Sequence, residues 1–210
     1  MKLYQHNQEA LKTVGGTLIK SAIAPDVALE WAERARSNVS TRVSREAGSA
    51  QDLDEGGERF HGIAAAKQTQ QILPELVGVY QAYTTFLSAL INRPVVTSPY
   101  ADSALTLKVY DQPGDSQGWH KDTNPFTALL ILTETTGTYG TEIEGLDGSR
   151  FNLENEPGDM WLMYGRELRH RVPSVPEGKW RVTVPLNYYH PDDLWRPEGM
   201  DKLVYGNDPV

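Results

Sequence analysis

Gly118-Trp119-His120-Lys121-Asp122, Leu168-Arg169-His170-Arg171-Val172 and Trp180-Arg181-Val182-Thr183 are the stretches on which the reading of this 210-residue chain turns. On a β-strand, residues two apart project from one face. His120 and Asp122 can then reach a single metal ion while Lys121 points away. His170 lies 48 residues beyond Asp122, just ahead of another strand-like run. If the strands close into a barrel, that distant strand can supply a third ligand. Any single histidine is more often structural than a ligand, and an aspartate ahead of Thr123-Asn124-Pro125 also suits a turn. The joint spacing favours the metal reading for His120, Asp122 and His170. Two imidazoles and one carboxylate on one side of an ion leave its other positions open to reactants.

The flanking sequence carries strand signals. Leu105 to Tyr110 alternates apolar and polar residues, as a half-buried strand does. Thr127 to Thr133 is nearly continuous apolar and suits a buried strand. Asp159 to Tyr164 and Trp180 to Tyr189 are also strand-like. Turns at Gln112-Pro113-Gly114-Asp115, Leu146-Asp147-Gly148, Glu156-Pro157-Gly158-Asp159 and Pro176-Glu177-Gly178 separate them. Short strands at this spacing indicate a sandwich or barrel.

The first half reads differently. Gly16 to Lys20 is short and β-like. Pro25 and Asp26 open a helix through Arg36, with Val27, Ala28, Trp31 and Ala35 on one face. Ser37 to Gly57 reads as a long loop, either a lid or plain disordered surface. His61 to Leu90 reads as one or two helices broken at Pro74, and Asn92-Arg93-Pro94 ends the run.

Bulk properties narrow the function classes. Length favours one domain over residues 1–210: helical 1–100, a β core over 101–192 and a tail over 193–210. The formal net charge of -8 disfavours nucleic acid as a partner. The chain has no cysteine, so any transition metal must be held by histidine and carboxylate. No apolar stretch approaches the ~20 residues of a membrane span, and no signal peptide is visible. The expectation is a cytoplasmic protein, monomer or homodimer, with no membrane partner.

A fourth element is Arg181, eleven residues after His170. An arginine on an inward strand face is costly without an anion, since breaking a buried ion pair costs roughly 3–5 kcal/mol. Its planar fork suits a carboxylate, and Thr183 faces the same way. The alternative is an exposed arginine on an edge strand.

The order His-x-Asp, about fifty residues, His, then Arg-x-Thr resembles the Fe(II)/2-oxoglutarate-dependent dioxygenase superfamily. The resemblance spans roughly Leu105 to Tyr189. It implies an α+β chain with a mainly β core, a double-stranded β-helix of the jelly-roll, cupin-like kind, with N-terminal helices packed on it. It implies Fe(II) on His120, Asp122 and His170. It also implies the distal carboxylate of 2-oxoglutarate on Arg181 and Thr183, and Tyr110 either touching the co-substrate or packing in the core. Gly158-Asp159-Met160-Trp161 resembles the family's turn into the strand before the second histidine. The implied reaction couples O₂ and 2-oxoglutarate to C–H oxidation of a small-molecule substrate, an amino acid or a natural-product intermediate, with ascorbate stimulatory. Related halogenases carry a small residue where this chain has Asp122, so hydroxylation or a related oxidation is favoured.

The competing readings are a protein side-chain hydroxylase of the prolyl type, a cupin-like metalloenzyme that does not use 2-oxoglutarate, and a non-catalytic binding module. Asn124 is close enough to the metal motif to touch substrate. His6, His61 and His190 read as surface or loop residues, though His61 could reach a substrate. Trp119 reads as core packing, and Arg169 and Arg171 as solvent-facing.

Overall fold

The computed structural model describes residues 2–46, 58–135, 137–200 and 204. Among the described residues, four helices and twelve strands follow in the order α1 (Lys2–Thr13), β1 (Gly16–Ile19), α2 (Pro25–Asn38), β2 (Arg42–Arg45), β3 (Arg59–Ala64), α3 (Ala66–Ile72), α4 (Leu76–Ile91), β4 (Val96–Thr97), β5 (Leu107–Tyr110), β6 (Ser116–His120), β7 (Phe126–Ile131), β8 (Glu142–Glu144), β9 (Arg150–Asn152), β10 (Met160–Tyr164), β11 (Arg169–Val172) and β12 (Arg181–Tyr189). A short 3₁₀ turn covers Gly137–Tyr139.

The strands form one curled antiparallel sheet in the order β1-β10-β7-β12-β5-β3-β6-β11-β8-β9, with β2 on β3 and β4 on β12. The architecture is a jelly-roll, double-stranded β-helix with helices against one face. The register decides which side chains face which layer. Leu130 stands opposite both Leu162's neighbour Met160 and Val184, and all belong to the core beneath the helices. Arg181 stands opposite Tyr110, and Thr183 opposite both Lys108 and Ile131, on the other face. Strand β7 is buried on both faces, which explains its unbroken apolar sequence.

Helix α2 begins with Pro25, whose fixed φ and missing N–H suit a first helical position, and Asp26 lies in its first turn. Ala28, Trp31, Ala32 and Ala35 are buried. Leu73 and Pro74 separate α3 from α4. Helix α4 ends at Asn92, which takes the left-handed conformation (φ 58°) that closes many helices. No described helix is long and apolar enough to cross a membrane.

Several expectations need correction. Gly16–Ile19 is a strand, as read, but the stretch read as helical also supplies β2, β3 and β4. His61 to Ala64 is strand, not helix, because β3 is held between β5 and β6 on one side and β2 on the other. The Ser37–Gly57 stretch is not all loop: α2 runs to Asn38, and Arg42–Arg45 pairs with β3. Residues 47–57 lie outside the described set. Leu130→Ala empties a fully buried position between β10 and β12. It should cost ~2–5 kcal/mol of stability, read as a lowered midpoint in urea or heat denaturation.

Candidate metal centre and cleft

The site grows from one strand pair. On β6 and β11, His120 stands opposite His170, but Val172 stands opposite Gln117. Three steps along β6 thus match two along β11, so β6 carries a bulge. The bulge breaks period-2 alternation. Gln117 and His120 are both buried, whereas Trp119 is only half-buried and lies outside. There its ring receives the guanidiniums of Arg150, Arg169 and Arg171 at 5.6, 5.6 and 5.1 Å. Trp119 is therefore a cation–π platform on the outer surface, not core packing.

Strand β6 ends at His120, so Asp122 is not held by the strand. Its backbone N–H donates to Gly165 O (2.9 Å), and its Oδ2 accepts the Thr127 hydroxyl. Thr127 in turn accepts from Asn124 Nδ2 (2.9 Å), whose other donor contact is Phe126 O. Asn124 lines the cleft, but its donors are committed to this scaffold. Gly165 is required by close approach: a Cβ there would stand 2.5 Å from Asn124 O.

His120, Asp122 and His170 each offer a ligand atom, all within 4.8 Å of one another. His120 Nε2 and His170 Nε2 stand 3.8 and 3.9 Å from Asp122 Oδ1. His120 Nδ1 lies 2.8 Å from Gly118 O, and His170 Nδ1 3.4 Å from Leu168 O. A carbonyl can only accept, so both Nδ1 atoms carry the proton and both Nε2 lone pairs face the shared point. Burial pushes both imidazoles below their ordinary pKa, which holds them in the neutral, ligating form.

Two spaces meet at this triad. An inner cavity runs past Tyr110, Leu129 and Val172 to Arg181 and Thr183. An outer cleft is lined by Arg59, Thr106, Asn187 and the C-terminal residues Arg196, Met200 and Val204. Lys108, Gln117, His120, Asp122 and Pro185 line both. Arg166 ties the tail over the cleft. Its Nε donates to Thr123 O (2.7 Å), and its Nη1 to both oxygens of Asp193 (2.9 and 2.7 Å).

Arg181 is 1% exposed on a strand flanked by β5 and β7, so the edge-strand alternative fails. Its Nη1 and Nη2 donate to Tyr139 O and Thr141 Oγ1, both at 3.0 Å. Its guanidinium lies 5.4 Å from the Tyr110 ring centroid. Its Nε has no partner, and no described carboxylate pairs with it.

Sequence reasoning missed Lys108, Gln117 and Thr127. Gln117 Oε1 accepts from Lys108 Nζ (2.8 Å) and Tyr110 Oη (3.1 Å), which turns its amide nitrogen towards His120 Nε2 (3.0 Å). Burial lowers the Lys108 ammonium to about 8. Lys108 was detectable, because it shares the inward face of its strand with Tyr110. The bulge hid Gln117.

Two histidines differ from expectation. His61 is buried with its ring 4.8 Å from that of Tyr110, and burial lowers its pKa. It is placed by the Arg59–Ala64 strand rather than by a loop. His190 is buried and contacts Pro94 O through Nδ1 (2.7 Å). His6 is exposed, as expected.

Thr127→Val removes the hydroxyl that fixes Asp122 and should lower Fe(II) affinity roughly 10–100-fold, since the supports of metal ligands carry that weight. Gly165→Ala should weaken metal binding similarly and also reduce stability. Anaerobic Fe(II) titration with parallel melting curves checks both.

A protein family described as Halogenase D matches residues 61–156, which include His120 and Asp122 but not His170 or Arg181. No curated protein matches the chain. Among solved structures, the epimerase SnoN in complex with Fe3+, alpha ketoglutarate and nogalamycin RO aligns with a TM-score of 0.72 at 14% identity, covering 100% of this chain and 93% of that one. The non-heme alpha ketoglutarate dependent carbocyclase SnoK, from nogalamycin biosynthesis, aligns at 0.72 with 15% identity, covering 98% and 91%. A Pseudomonas putida prolyl-4-hydroxylase aligns at 0.59 with 16% identity, covering 89% and 98%. These likenesses show the fold: the chain shares its double-stranded β-helix with SnoN, SnoK and the prolyl-4-hydroxylase.

Proposed function

We propose that this chain is an Fe(II)- and 2-oxoglutarate-dependent oxygenase that hydroxylates, or otherwise oxidises, a C–H bond of a small molecule. One observation carries the reading: a His-Asp-His donor set stands at the junction of an inner cavity ending in a buried arginine and an outer cleft. Two neutral imidazoles and one carboxylate suit Fe(II) and leave positions for reactants.

The inner cavity fits the co-substrate's chemistry. Arg181 keeps an unpartnered buried N–H and no described counter-ion, which is costly unless an anion arrives. Arg181 and Thr183 would take the distal carboxylate of 2-oxoglutarate, and Tyr110 would form part of its wall. His120, Asp122 and His170 would hold the ion. When bound, iron would supply the oxidation: 2-oxoglutarate and O₂ would together become succinate and CO₂, with the second oxygen atom going into the substrate C–H bond. The protein binds, orients and keeps water away. Ascorbate would be stimulatory as a reductant of the iron.

Asp122 bears on the outcome. Its carboxylate fills the third ligand place, so oxygen insertion is favoured over halogen transfer despite the partial family match. The outer cleft, covered by the C-terminal segment, suits a small molecule. SnoN, a structural neighbour, is solved with nogalamycin RO, which is not a protein. A relative solved with a peptide fragment keeps a side-chain hydroxylase as the alternative.

With Fe(II), 2-oxoglutarate and O₂, the protein should form succinate, the product that a cupin-like enzyme independent of 2-oxoglutarate would not make. Arg181→Met should weaken 2-oxoglutarate binding roughly 10–100-fold, the worth of a charged hydrogen bond of ~1.5–3 kcal/mol. The visible charge-transfer band of the anaerobic complex reads it directly. Unchanged 2-oxoglutarate affinity in Arg181→Met would remove the co-substrate assignment. A chlorinated product in chloride buffer would replace hydroxylation with halogenation.

A further inference from the structure

Resting on the oxygenase reading above, we infer that Lys108 anchors the substrate, pairing its ammonium with the carboxylate of a small polar acid in the outer cleft. Lys108 is on the inward face of β5, two residues before Tyr110, and lines both spaces beside the metal ligands. An ammonium has three N–H donors. One is used, on the neutral oxygen of Gln117 at 2.8 Å. No described carboxylate forms an ion pair with it; Asp122 raises its pKa from a distance, but Asp122 Oδ2 is committed to Thr127 and Oδ1 faces the two imidazoles. A half-buried cation with only a neutral partner is poorly compensated. An incoming anion would compensate it.

Two molecules could bring that anion: the co-substrate or the substrate. The co-substrate's distal carboxylate has its own cation in Arg181, at the far end of the inner cavity. Among the described residues, cations outnumber carboxylates along the outer cleft. Arg59, Lys108 and Arg196 line it, and Asp122, a metal ligand, is its one described carboxylate. Such a surface favours an anionic ligand. The remaining polar lining, Ser103, Thr106, Thr123 and Asn187, offers hydroxyls and an amide to a polar body rather than to a lipid chain. The occupant is therefore a small acid that also carries hydroxyl, amine or amide groups.

The test uses Lys108→Met and Lys108→Arg in the Fe(II)- and 2-oxoglutarate-loaded protein without O₂. The probes are the proteinogenic L-amino acids, small hydroxy acids and the corresponding primary amides. Binding is read by perturbation of the visible charge-transfer band and by calorimetry. Wild type should bind at least one acid at least tenfold more tightly than its amide. Lys108→Met should lose at least tenfold in affinity for that acid, while its 2-oxoglutarate affinity and melting temperature stay near wild type. Lys108→Arg should keep most of the binding. Equal binding of acid and amide, undiminished binding by Lys108→Met, or no response of wild type to any acid would overturn the assignment. So would a loss in Lys108→Met of 2-oxoglutarate affinity rather than acid affinity, since the lysine would then serve the co-substrate. Failure of wild type to develop a charge-transfer band at all is a different result: it removes the oxygenase reading itself.

Discussion

The pairing of β6 with β11 across a bulge is the constraint on which the site depends. It puts His170 directly opposite His120 while turning Trp119 outward and Gln117 inward. Without the extra residue on β6, either Gln117 or His120 would face away from the cavity. The outward side uses the same displacement: Trp119 collects three arginines from β9 and β11, and Glu142 and Glu144 pair with them. The candidate metal centre and the surface ladder are thus two faces of one irregularity.

The electrostatics inside run against those of the whole. The chain carries a formal charge of -8, yet Arg181 and Lys108 face the two interior spaces, where the described acidic side chain is Asp122. Burial raises the cost of each uncompensated cation and also strengthens each pairing it makes. The inner sheet face thus presents cations at two depths. One is at the far end, where Tyr139 and Thr141 hold Arg181 in place. The other is beside the triad, where Gln117 holds Lys108. The Gln117 amide stands between Lys108 and Tyr110 on one side and His120 on the other.

The ligand loop is also built from a distance. Asp122 owes its position to Thr127 at the start of β7 and to Gly165 beyond β10. Arg166, the next residue, grips Thr123 on one side and Asp193 on the other. The covering of the cleft and the geometry of the carboxylate therefore share one turn. Tyr100 adds a second tie, donating from its hydroxyl to Leu194 O (2.5 Å).

The sequence alone pointed to the three candidate donors that the fold brings together, to the double-stranded β-helix and to the two strands that bear Arg181 and Tyr110. These depend on spacing and on alternation, both of which are local and survive in a linear text. The strand Arg59–Ala64 was not legible, because its Ala-rich continuation reads as helix and only pairing with β5 and β6 overrides that preference. Leu105 to Tyr110 was legible as half-buried, but its polar face looks into a cavity rather than into water. Alternation cannot tell those two apart. The buried states of His61 and His190, the outward Trp119 and the support of Asp122 by Thr127 were decided by tertiary structure alone. Each follows from a bulge, a strand register or a contact across many residues, and none of these leaves a periodic trace in the sequence.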